Sequence, residues 1–134
     1  DEVGLVSLPV FQAVAPPCRA RLCLMMVWLG RPKFLEAGEL LYEQGTLRGN
    51  TGFLLQRGRL GVSDTPRHDA PAVLGVQPDF DPVQRWPHSM KALTQVEVLV
   101  FNWIDLLRRL EKRQEAAEHA ELLTALRDYA SAAG

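Results

Sequence analysis

The chain has 134 residues, 47% of them hydrophobic and 23% charged, the balance of one folded domain rather than of a disordered tail, a fibre or a disulfide-dense miniprotein. Fifteen Lys and Arg against sixteen Asp and Glu leave a net charge of −1, so no global field draws the chain to nucleic acid or to an anionic membrane. The longest apolar run, Leu22 to Leu29, falls well short of the roughly twenty residues that a membrane-spanning helix needs.

In chain order, the first thirty residues read as helical, with Pro9, Pro16 and Pro17 as punctuation. A short turn is predicted around Val10 to Val14 and a longer helix from about Pro17 to Trp28, because proline is tolerated at a helix start. The run from Leu22 to Leu29 is expected to be a buried helix face. Cys18 and Cys23 are five apart on that helix, about 7.5 Å of rise and on different faces, so they are expected to be small buried hydrophobes rather than a disulfide. That pattern fits a reducing, cytoplasmic compartment. A first residue other than Met, with no charged-then-apolar leader, reads as a piece of a longer or processed polypeptide.

From Lys33 to Phe101 the period changes. Short apolar runs at Phe34-Leu35, Leu40 to Tyr42, Phe53 to Leu55, Leu60 to Val62, Ala72 to Leu74 and Val96 to Phe101 alternate with Gly, Pro, Asn and Asp, which predicts antiparallel strands. Arg57-Gly58 is predicted to be a tight hairpin turn, with further turns at Gly45, Gly49 and Gly52. The five prolines between Asp64 and Pro87 predict irregular surface loops. Phe34, Leu41, Phe53, Leu55, Leu60, Val62, Leu74, Leu93, Val98 and Val100 are expected to lie mainly inside. After Phe101 helix takes over: Asn102 is placed to cap it, Asp105 sits in the first turn where the helix dipole favours a carboxylate, and the stretch from Glu111 to Ala133 contains no Gly or Pro.

Paired N-terminal helices, eight or so short strands, a capping helix and a long helix follow the order of the cyclic nucleotide-binding domain family, the sensor module of the catabolite-activator type, which the chain resembles over nearly its whole length. The carriers are Leu8-Pro9-Val10-Phe11, the run from Phe34 to Gly45 (FLEAGELLYEQG), the run from Gly52 to Val62 (GFLLQRGRLGV), Leu74-Gly75, and Lys91 to Leu99 (KALTQVEVL). The resemblance implies an α+β fold: an antiparallel β-roll (a double-stranded β-helix, jelly-roll-like) over residues 31–101, flanked by N-terminal helices in 1–30 and C-terminal helices in 102–133, as a single domain.

The resemblance also implies a phosphate-binding cassette between Gly75 and Ala92. In the family a carboxylate accepts a ribose hydroxyl hydrogen bond and a guanidinium neutralises the cyclic phosphate bidentately. Here the carboxylate position holds Val76 and the guanidinium position holds Trp86, so both charged anchors are lost at kept cassette length. Arg85 stands one place off, before a Pro87 that restricts Trp86. Asp79 and Asp81 add negative charge where an anion would sit, and His88 and Ser89 complete the degenerate site. Trp86 is expected to pack as a plug over the vacant pocket.

His68, His88 and His119 stand singly, and a metal site or cofactor is not expected. Ser7, Ser63 and Ser89 lack a nucleophile elbow or partners for a triad, so no enzyme activity is expected. The reading is a regulatory module of a larger regulator, channel, transporter or kinase-like protein, not taking ordinary cyclic nucleotides. The alternative is a sensor that binds a cyclic nucleotide or dinucleotide through Arg85 or an altered cassette. The segment ends before any helix-turn-helix, so neither nucleic-acid binding nor membrane insertion by this piece is expected. Leu122, Leu123, Leu126 and Tyr129 lie on an apolar stripe of the last helix; the helix either folds back to bury it against its own β-roll or, as the resemblance implies, pairs with a second copy, and the homodimer is the preferred expectation.

Overall fold

The glycine-punctuated middle of the chain forms eight strands in two antiparallel sheets. The computed structural model describes residues 9–12, 16–75, 83–112, 124–125 and 127–128. Helix α1 is Pro9–Gln12 and α2 is Pro16–Leu29. The strands are β1 (Arg31–Leu35), β2 (Leu40–Tyr42), β3 (Thr51–Arg57), β4 (Arg59–Val62), β5 (Thr65–Asp69), β6 (Ala72–Leu74), β7 (Met90–Ala92) and β8 (Val96–Asn102), followed by α3 (Trp103–Glu111). One sheet has the order β1-β8-β3-β6 and the other β2-β7-β4-β5. This is the α+β roll expected from the sequence.

Strands β3 and β8 form the spine, paired from Thr51↔Asn102 through Leu55↔Val98. Their side chains alternate between two cores because a strand repeats every second residue. Phe53, Leu55, Val96 and Val98 face the roll interior with Leu41, Leu60, Met90 and Ala92 of the second sheet. Leu54, Leu99 and Phe101 face the other way, onto Leu22 and Met26 of α2 and Trp103 and Leu106 of α3. Ala125 packs on this second cluster. Asn102 caps α3 as expected: its Oδ1 accepts the backbone N–H of Ile104 (2.9 Å) and of Asp105 (3.2 Å).

Several expectations are corrected. Phe34 is 69% exposed: it pairs with Glu97 on edge strand β1, and parity sends Leu35, opposite Val96, into the roll instead. Leu93 is only half-buried, whereas Val62 and Val100, also half-buried, pack on the interior cluster as expected. Within the apolar run of α2, Leu24 and Trp28 are exposed, so the run is not wholly a buried face. Gly52 lies inside β3 rather than in a turn. The proline-rich stretch is not all loop, because it holds β5, with Pro66, and β6. The last helix beyond residue 112, with Leu122, Leu123, Leu126 and Tyr129, lies outside the described residues apart from helical positions at 124–125 and 127–128.

Arg57-Gly58 is not a hairpin turn. Strands β3 and β4 never pair; β3 joins β6 and β8, while β4 joins β5 and β7. Gly58 is the corner at which the chain leaves one sheet for the other, at φ +95°, and a Cβ there would collide with the carbonyl oxygen of Gln95. The tight hairpin is instead β4–β5, through Ser63 at φ 54°. Substituting Gly58→Ala is therefore expected to cost at least about 2 kcal/mol, from the strained φ and the collision together. Urea unfolding checks this: the midpoint should fall with the slope unchanged, and an unchanged midpoint would mean that the corner does not need glycine.

Candidate functional site

The cassette begins where β6 meets the spine. Gly75 closes β6 at φ +89°, and a Cβ on it would stand 2.5 Å from the carbonyl oxygen of Thr51, so only glycine lets the chain pass this close to β3. Val76, Asp79 and Asp81 lie outside the described residues.

The chain that carries Arg85 and Trp86 is laced to the loop after β2. Trp86 donates its N–H to the Thr46 carbonyl (2.9 Å) and its carbonyl accepts from the Gly45 N–H (2.9 Å). Arg48 N–H donates to the Gln84 carbonyl (2.9 Å), and Leu47 and Arg85 form a bridge between these two pairs. Ser89 adds a side-chain tie, its Oγ accepting the Gln44 N–H at 2.9 Å. This ladder fixes the backbone of Trp86 and thereby the direction of its side chain.

The indole points into the roll. Trp86 is 6% exposed and belongs to the interior cluster. Its ring lies flat on that of Tyr42, with centroids 3.7 Å apart and planes 13° from parallel, and tilted against Phe53 at 6.0 Å. The Arg48 guanidinium sits over the indole, 4.4 Å from its centroid, a cation–π contact of about 0.5–2 kcal/mol. Burial in this stack pushes the Tyr42 phenol above its usual pKa, against the opposing pull of Arg48. Trp86 thus fills the interior, as a plug would.

Arg85 faces the other way. It is exposed, and its Nη1 donates to the Gly45 carbonyl at 2.6 Å. Alternate residues of an extended segment point to opposite sides, so the backbone that buries Trp86 turns Arg85 outwards. Among the described residues Asn50 is the only buried polar one, and its carbonyl accepts the N–H of Trp103. A charged ligand in the roll would be stripped of water there, and the Arg48 guanidinium, whose Nε is buried, is already placed over the Trp86 ring. The sequence did not single out Tyr42 and Arg48 as site residues; the aromatic signal was present in Tyr42, but nothing local marks Arg48 as the partner of a tryptophan 38 positions away.

His88 and His68 are both half-buried. The pKa of His68 is pushed below its ordinary value first by burial, then by Arg67 and His88. A histidine that binds its proton less well when folded contributes stability above its unfolded pKa of about 6.5, and that contribution is lost as pH falls through the folded value. Unfolding midpoints between about pH 7.5 and 5 should therefore drop more steeply for the native chain than for His68→Gln; parallel profiles would contradict this.

Comparison with known proteins adds fold evidence. No family model and no curated protein sequence matches the chain. Among solved structures, a protein of Geobacter metallireducens GS-15 named for cyclic nucleotide binding is similar over 99% of this chain and 96% of that one, with a TM-score of 0.63 and 16% identity. A transcriptional regulator of Thermotoga maritima is similar over 81% of this chain and 85% of its own, with a TM-score of 0.59 and 16% identity. The EAL enzyme Bd1971 is similar over 78% of this chain and 99% of its own, at 0.56 and 14%. With two antiparallel sheets rolled around one interior and helices against one face, the chain has the cyclic nucleotide-binding-like fold.

Proposed function

We propose that this domain is a regulatory module whose roll no longer takes ordinary cyclic nucleotides and which acts through protein contacts rather than catalysis. The observation that carries the reading is Trp86, buried in the roll interior and stacked on Tyr42. The substitutions at the anchor positions support it. Loss of two charge-assisted contacts, about 1.5–3 kcal/mol each, corresponds to two to four powers of ten in affinity. The similarity to a transcriptional regulator and to a protein named for cyclic nucleotide binding is in keeping with a regulatory role. Among the described residues no helix is long and apolar enough to cross a membrane.

Calorimetric titration with cyclic AMP, cyclic GMP and cyclic di-GMP tests the closed interior. No saturable binding is expected below about 100 µM. Tight binding would overturn the reading and favour a sensor in which Arg85 lets go of the Gly45 carbonyl to meet a phosphate. The paired substitution Val76→Glu and Trp86→Arg should restore some affinity, because it returns the carboxylate and the guanidinium while vacating the interior. Trp86→Ala alone should cost about 3–5 kcal/mol of stability, as the deletion of a large buried side chain does.

The protein contact expected first is a homodimer through Leu122, Leu123, Leu126 and Tyr129. Leu123→Glu with Leu126→Glu would place unpaired charge in that seam and should halve the sedimenting mass while the strand signal in circular dichroism persists. An unmutated chain that sediments as a monomer at about 100 µM would remove the dimer from the account.

A further inference from the structure

On the side of the molecule where α2, β1 and α3 converge, two clefts adjoin and share Asp105 and Arg109. One, of about 430 Å³, has Arg31 and Arg109 on its walls over Leu29 and Val100. The other, of about 480 Å³, is lined by Met25 and Trp28 together with Arg108, Arg109 and Lys112. Trp28 is 73% exposed, and Leu24, one helical turn before it on the same face, is 48% exposed. Arg31, Arg108, Arg109 and Lys112 are all exposed, and among the described residues none has a carboxylate within ion-pair distance. Arg108 and Arg109 do complement the C-terminal end of the α3 dipole. That role does not account for Arg31, which comes from β1, or for a solvent-exposed tryptophan from α2.

We propose that this joined groove docks an acidic, partly apolar peptide segment of a partner protein. Among the described residues, four cations against the single carboxylate of Asp105 make the groove locally positive on a chain whose net charge is −1, so the complementary occupant is an anion. Trp, Met and Arg are the side chains enriched at protein interfaces and their hot spots, and they supply an apolar anchor beside the charges. Concavity favours a protruding segment over a flat bilayer. Asp105 at the junction interrupts the positive field, which a continuous phosphate backbone would have to cross, whereas carboxylates on a peptide can stand on either side of it. The inference deepens the interaction-module reading but does not depend on the closed interior, so nucleotide calorimetry and the groove experiment fail separately.

The test is selection of peptides from a random display library on the intact domain, followed by synthesis of the winning peptide. The winners should be enriched in Asp and Glu together with Leu, Ile or Phe. Binding of the synthetic peptide should weaken at least about tenfold for Arg108→Glu with Arg109→Glu and for Trp28→Ala, and should fall with added salt. Arg67→Glu, an exposed charge change on β5, should leave it unchanged, and circular dichroism confirms that each variant is folded. Winners without acidic residues, no winners, or winners indifferent to the groove variants would overturn the proposal. So would phosphatidylserine vesicles or oligothymidylate binding the groove more tightly than the peptide, which would assign the surface to a membrane or a nucleic acid.

Discussion

The face-to-face contact of Trp86 with Tyr42 decides what the roll can hold. Two sheets that meet around one interior must fill it, because apolar walls without contents lose dispersion contacts and leave a cavity. A ligand-binding roll leaves that filling to the ligand. In this chain the filling comes from its own side chains: an indole sits on a phenol at 3.7 Å, with Phe53 beside it and the Arg48 guanidinium over the ring. The same backbone ladder that drives Trp86 inwards holds Arg85 outside on the Gly45 carbonyl. One arrangement therefore buries the Trp86 indole and keeps Arg85 on the outside.

The stack rests on the spine formed by β3 and β8. Each strand is buried on both sides, so Phe53 and Leu55 build the roll interior while Leu54 packs the helices. Substitutions in the spine would be felt in both cores, whereas the groove beside α2 and α3 opens on the outer side of the helix-side core, with Met25 and Phe101 among its lining. Among the described residues, a packed interior around Trp86 thus stands apart from a charged outer surface beside α2 and α3.

Much of the architecture was legible in the sequence because the signals were local. The change of period at Lys33, the Asn102 cap and the inward course of Leu41, Phe53, Leu55, Leu60, Leu74 and Val98 all follow from alternation and from capping chemistry. What was missed depends on sheet membership, which alternation does not encode. Arg57-Gly58 has the composition of a hairpin, but the two strands that it joins belong to different sheets. Phe34 was expected inside, yet the register with β8 gives that place to Leu35. β5 was hidden because an edge strand tolerates Pro66 and polar residues on an exposed ladder. At the site, the burial of Trp86 followed from the loss of the charged anchors, but its partners Tyr42, at the end of β2, and Arg48, in the loop after it, are brought near only by the fold.

The most direct measurement of the central claim is the set of proton–proton nuclear Overhauser contacts made by the Trp86 indole in solution. A filled interior predicts strong contacts from the indole to the ring protons of Tyr42 and Phe53, with ring-current shifts on Tyr42 that persist when cyclic AMP is added. An indole that exchanges rapidly with water, shows no contact to Tyr42 and shifts on addition of cyclic AMP would contradict the account, because the roll would then be open to a ligand.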